Sequence, residues 1–169
     1  MNKLYFITGA SGSGKTTAVK ALEKEQSHNV AFFYFDSVGV PNDEEMRQRY
    51  GSGEGWQKAT TLYWVREIKN TSLRNSLTIL DGQMRLSFIK EACEQEGVTD
   101  YEIILFDCSD EERKRRLTER GNSELANDEM MNWARYLKQE AEAVSAHIID
   151  TTSLTLDESV HALKTIMHV

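Results

Sequence analysis

The chain has 169 residues, of which 40% are hydrophobic and 28% charged, an ordinary globular composition that excludes wholesale disorder. Twenty basic residues against 27 acidic ones give a net charge of −7, which argues against a global positive field for gripping nucleic acid. No apolar run approaches the roughly 20 residues of a membrane-spanning helix. The opening MNKLYFITG lacks a secretory leader pattern, and Cys93 and Cys108 read as reduced, buried thiols, so a cytoplasmic chain without membrane or nucleic-acid partners is expected.

In chain order, Leu4–Ile7 reads as a strand and Lys15–Gln26 as a helix. Val30–Phe35 is nearly all apolar, the pattern of a strand buried on both faces. Helices are expected over Asn42–Tyr50 and Trp56–Asn70, separated by a glycine-rich stretch, Gly51, Gly53 and Gly55, with the character of a hinge. A third strand, Leu77–Leu80, precedes a helix from Leu86 to Glu96, and a fourth, Ile103–Phe106, precedes a charged helix from Ser109 to Arg120. Ser109 and Glu112 have the spacing of a capping box. A long helix over Asp128–Val144, a short strand over His147–Ile149 and a helix over Leu156–Met167 complete the chain. With no linker or repeat, residues 1–169 read as one domain. Five strands separated by helices predict an α/β fold, three layers around a five-stranded parallel sheet.

The sharpest motif is Gly9-Ala10-Ser11-Gly12-Ser13-Gly14-Lys15-Thr16, a full match to G-x-x-x-x-G-K-[ST] between a strand and a helix, with Thr17 next. Glycines there let backbone N–H groups turn inward around phosphate oxygens, and the helix start adds its positive dipole end. Lys15 then supplies a point charge to the terminal phosphates and the Thr16 hydroxyl is placed for Mg²⁺, so ATP and Mg²⁺ are the expected ligands.

From these residues the chain resembles the small-molecule and nucleoside-monophosphate kinases of the P-loop class. Asp81-Gly82-Gln83-Met84-Arg85 is similar to the D-G-x-P-R segment of adenylate kinases, with Met84 in place of proline. The resemblance implies that Asp81 helps place Mg²⁺ and Arg85 holds acceptor phosphate; as chemistry alone, Asp81-Gly82 is also a plain turn. Arg116 and Arg120 match the R-x-x-x-R that opens the adenylate kinase lid, share one helical face, and would neutralise the transferred group. A solvated helix with ion pairs is the bland alternative, and it suits Arg113 and Arg115. The lid, 116–130, is short, as in gluconate and shikimate kinases, and Arg135 beyond it is a further candidate phosphate contact.

Asp36 follows the second strand, where ligands of open parallel sheets lie, and the resemblance gives it the acceptor hydroxyl to orient and deprotonate; an Asx-turn explains it equally. The segment 37–75 then holds a small-molecule acceptor, with Arg47 as a candidate contact. Trp56, Thr60, Tyr63 and Trp64 recur at helical spacing, which favours packing for most of them, and Trp133 is expected to pack the long helix on the sheet. Phosphoryl transfer from ATP to a hydroxyl or a nucleoside monophosphate is the function these features imply. The competing readings are an ATP-binding regulatory module and a GTPase-type switch, the latter because Asp36-Ser37-Val38-Gly39 matches D-x-x-G.

Overall fold

Alternating side chains of the first strand serve two cores at once. In β1 (Lys3–Thr8), Tyr5 and Ile7 join one buried cluster, while Leu4 and Phe6 join another on the opposite face. A computed structural model describes residues 3–25, 29–71 and 77–169; Gln26, His28 and the end of the expected acceptor segment lie outside these. The other strands are β2 (Val30–Tyr34), β3 (Leu77–Asp81), β4 (Tyr101–Asp107) and β5 (His147–Asp150). All pair in parallel, in the order β2-β3-β1-β4-β5.

On one face of the sheet α1 (Lys15–Glu25) and α7 (Leu156–Met167) pack through Val19, Leu22, Val160 and Leu163. The other face carries α3 (Gly53–Thr71), α4 (Leu86–Glu96) and α6 (Asp128–Ala143), through residues such as Val65, Ile89 and Leu137. The short α2 (Asp43–Tyr50) precedes α3, and α5 (Asp110–Glu119) follows β4. The α/β class and five-stranded parallel sheet are those expected from the alternation of apolar runs and helices. No helix among the described residues is long and apolar enough to cross a membrane.

Three local expectations change. The apolar run in β2 is not buried on both faces: β2 is an edge strand with every residue half-buried, and Phe35 leaves it to open a 3-10 turn over Phe35–Val38. The glycine stretch belongs largely to helix. Gly51 caps α2 in the left-handed conformation, and α3 already begins at Gly53. At Gly55 a Cβ would lie 2.1 Å from the Tyr50 carbonyl oxygen, so this glycine serves a close approach of the two helices. Only half of the capping box forms: Ser109 accepts from the Glu112 N–H, while the Glu112 carboxylate is engaged by Arg115 and Arg116.

Candidate active site

The glycine-rich loop lies between β1 and α1 at the carboxyl end of the sheet. Gly12 and Gly14 have φ of +82° and +88°, values that L side chains rarely adopt. Gly9 is excluded from carrying a side chain by contact: a Cβ there would sit 2.4 Å from the Phe106 carbonyl oxygen. The loop therefore rests directly on the backbone of β4.

Arg113 holds it there. This side chain is 0% exposed, contrary to the solvated role its charged helix suggested. It donates to the carbonyls of Ser11 at 2.9 Å, Ala10 at 3.4 Å and Cys108 at 3.2 Å, and to Asp107 Oδ1 at 2.6 Å. Engaging the loop carbonyls from below leaves the loop's N–H groups for an anion above, except that of Ser13, which donates to the Ala10 carbonyl. Arg115 stays at the surface, paired with Glu112 and Glu119. Hydrogen bonds from Arg115, then Arg116, bring the Glu112 carboxyl down to about 2.

Arg116 belongs to the same brace. Its guanidinium donates to Thr151 Oγ1 at 2.9 Å, to the Thr151 carbonyl at 2.7 Å, and to the Gly12 and Ser13 carbonyls at 3.3 Å. Thr151 itself donates to the Ser13 carbonyl. Arg120 is exposed, its guanidinium donates to Asn122 Oδ1, and its charge acts on Lys15. The two arginines expected to act together thus have different surroundings.

Lys15 is buried, and burial lowers its pKa from the ordinary lysine value against the attraction of Asp81 and Asp36. Beside it, Thr16 Oγ1 donates to Asp81 Oδ2 at 2.6 Å. Asp81 is 3% exposed, and burial raises its pKa in spite of Lys15 and Thr16. Its second oxygen, Oδ1, is buried without a hydrogen-bond partner among the described residues. A hydroxyl and an orphaned carboxylate oxygen beside a phosphate loop are the hard oxygen donors that Mg²⁺ prefers, so the residues fit the expected metal. Thr17 is exposed on the first turn of α1. The buried Ser13 hydroxyl also lacks a partner among the described residues.

Facing this loop is a cavity of about 370 Å³ that contains Asp36, Glu54, Gln57, Gln83 and Arg85, walled by Trp56 and Trp133. Asp36 is exposed at its edge, after β2. Arg85 precedes α4 and donates to Gln57 Oε1 at 2.8 Å; Glu54 lies 3.4 Å away. Trp133 donates its indole N–H to Gln83 Oε1 at 3.0 Å, and Gln83 Nε2 donates to Ser11 Oγ at 3.0 Å, so the cavity wall is tied to the phosphate loop. Trp133 is a wall of this cavity besides packing its helix. Trp64 is buried and donates to the Phe35 carbonyl, whereas Tyr63 is 46% exposed.

Arg135 does not reach the cavity: it pairs with Asp110 and Asn132 at the surface. Arg47 is exposed on α2 and does not line it. Met84, buried where the resemblance would place proline, donates its N–H to Thr8 Oγ1 and accepts back from that hydroxyl, a bond proline could not make. Gly82 matters for contact, since a Cβ would fall 2.2 Å from Phe35 Cβ. Neither Gln83 nor Trp133 carries a local signal of this role, because their bond spans fifty residues of sequence.

The strand order, the loop and the Thr16–Asp81 pair define a P-loop protein of kinase-like fold. Residues 6–150 match the AAA_18 family model, described as an AAA domain, and the chain belongs to that family. It is 30% identical to the nucleotide-binding protein GSU1884 of Geobacter sulfurreducens over 98% of this chain and 53% of that protein. It is 29% identical to the nucleotide-binding protein STH186 of Symbiobacterium thermophilum over 90% of this chain and 47% of that protein. The chain thus spans about half the length of the curated relatives it matches. Its fold is that of shikimate kinase from Acinetobacter baumannii in complex with shikimate, at TM-score 0.68 and 14% identity over 99% of this chain and 94% of that one. A sugar kinase from Janibacter superposes at TM-score 0.62 with 16% identity over 100% and 96% of the two chains.

Proposed function

We propose that this chain is an ATP-dependent phosphotransferase that moves the γ-phosphoryl group to a small acceptor. The observation that carries the reading is the adjacency of two sites: a phosphate loop with buried Lys15, and a cavity edged by Asp36 whose wall is hydrogen-bonded to Ser11 of that loop. Residues Gly9–Thr16 bind the triphosphate through backbone N–H groups and the Lys15 charge. Thr16 and Asp81 hold Mg²⁺, which when bound neutralises charge on the phosphates.

Asp36 orients the acceptor hydroxyl and takes its proton as the new P–O bond forms. Arg120, which has no carboxylate partner among the described residues and whose charge acts on Lys15, offsets charge on the group in flight. Arg116 serves instead to fix the loop rim and the Thr151 turn, which supports the nucleotide side. Acceptor binding between Trp56 and Trp133 excludes water from the transfer.

Calorimetry with Mg-ATP, paired with acceptor-dependent ADP release, tests this. The wild type binds Mg-ATP and releases ADP when acceptor is added. Asp36→Asn binds Mg-ATP normally and transfers about 10²–10⁴-fold more slowly. Transfer by Asp36→Asn at the wild-type rate refutes the role of Asp36. Binding of Mg-ATP with no acceptor-dependent ADP from a broad panel would make the chain a nucleotide-binding regulatory module instead.

A further inference from the structure

Resting on the phosphotransferase reading, we infer that the acceptor is an uncharged polyhydroxyl compound of monosaccharide size, and neither a phosphate ester nor a sugar acid. The inference comes from how the cavity has already used its charge. Arg85 is the one cation among the described residues that line it, facing two carboxylates, Asp36 and Glu54. The Arg85 side chain is 20% exposed, and the edges of its guanidinium are engaged by Gln57 and by Glu54. Its faces are covered as well: the rings of Trp133, Phe88 and Tyr136 have centres 4.8, 5.4 and 5.7 Å from its central carbon. An arginine bound at its edges and boxed by three rings is a structural strut, with little left for the bidentate grip that phosphate or carboxylate needs.

A phosphate monoester carries about −1.5 to −2 charge at neutral pH, and would meet a lining whose formal charge is already negative. Lys15, whose charge interacts with Asp36 from outside the lining, is the cation that a triphosphate occupies. Uncharged hydroxyls meet no such penalty. Asp36 and Glu54 accept hydrogen bonds from them, the amides of Gln57 and Gln83 offer polar edges, and the indoles of Trp56 and Trp133 cover C–H faces of a sugar ring. A volume of about 370 Å³ suits one such molecule.

The test uses the tryptophans in the wall. Emission is titrated without nucleotide against neutral aldoses and polyols, and against matched acids and phosphates: glucose with gluconate and glucose 6-phosphate, and ribose with ribose 5-phosphate. At least one neutral compound is expected to saturate the signal, with its charged counterparts at least tenfold weaker. Glu54→Gln, which frees one edge of Arg85 and removes a negative charge from an exposed position, is expected to narrow that gap about threefold or more. Unfolding midpoints of the same samples separate loss of the cavity from loss of the fold. Charged compounds binding as well as their neutral counterparts, no neutral compound binding, or a gap unmoved by Glu54→Gln each overturn the inference. Because no nucleotide is present, these results stand apart from Mg-ATP binding, whose failure would overturn phosphoryl transfer itself.

Discussion

Replacing Arg113 by methionine removes the guanidinium that ties the phosphate loop to the end of β4. The side chain is fully buried and donates to three backbone carbonyls and to Asp107. Breaking a buried ion pair by removing one partner costs about 3–5 kcal/mol, because the other charge is stranded. Here the lower end applies, since Asp107 keeps Lys138 at 3.8 Å and a side chain 13% exposed. At about 2–4 °C per kcal/mol for a domain of this size, about 3 kcal/mol lowers the unfolding midpoint by about 6–12 °C. The loop carbonyls of Ala10 and Ser11 lose their donor at the same time, so Mg-ATP affinity falls by about tenfold or more, equivalent to about 1.4 kcal/mol. Thermal unfolding by circular dichroism and calorimetric titration read the two effects. The double variant Asp107→Asn/Arg113→Met recovers part of the lost stability, because no carboxylate is left without its partner. A midpoint for Arg113→Met within about 2 °C of wild type would refute the reasoning.

Lys15→Met abolishes triphosphate binding but does not lower the unfolding midpoint, because the buried ammonium is a net cost to the fold: burial outweighs Asp81 and lowers its pKa. The sign follows from linkage. That cost is complete below the lowered pKa and fades as pH rises toward the unfolded value of about 10.5, so the stability gap between Lys15→Met and wild type closes on the alkaline side; a gap that widens there contradicts it. Asp81→Asn retains metal-free ADP binding and loses the gain that Mg²⁺ brings, as titration with and without EDTA shows. Gln83→Ala leaves the Trp133 indole without its acceptor, shifts its emission, and weakens acceptor binding about two- to tenfold, for a hydrogen bond worth about 0.5–1.5 kcal/mol.

The phosphate loop was legible because its chemistry is local: glycines, lysine and threonine in a fixed spacing between an apolar run and a helix. Asp36 is legible because ligands of a parallel sheet lie beyond the carboxyl ends of its strands, whereas Asp81 is picked out by the resemblance of its segment to D-G-x-P-R, its chemistry alone reading equally as a turn. The arginines of α5 were not. Spacing puts Arg116 and Arg120 on one face, yet it cannot show that Arg113 turns inward to Asp107 and the loop carbonyls, which depends on where β4 ends beneath the loop. The pairing of Arg135 with Asp110 joins two helices, and neither helix shows it alone. Trp133 and Gln83 meet only through tertiary structure, and the half-formed capping box shows Glu112 claimed by Arg115 and Arg116 rather than by the backbone.

ATP labelled at the γ-phosphate, incubated with the protein, Mg²⁺ and the acceptor that binds between Trp56 and Trp133, tests the central claim most directly. The account predicts that label appears on the acceptor in equal amount to ADP, and disappears from it in Lys15→Met. Label found only in inorganic phosphate, or remaining on ATP that is demonstrably bound, would contradict it.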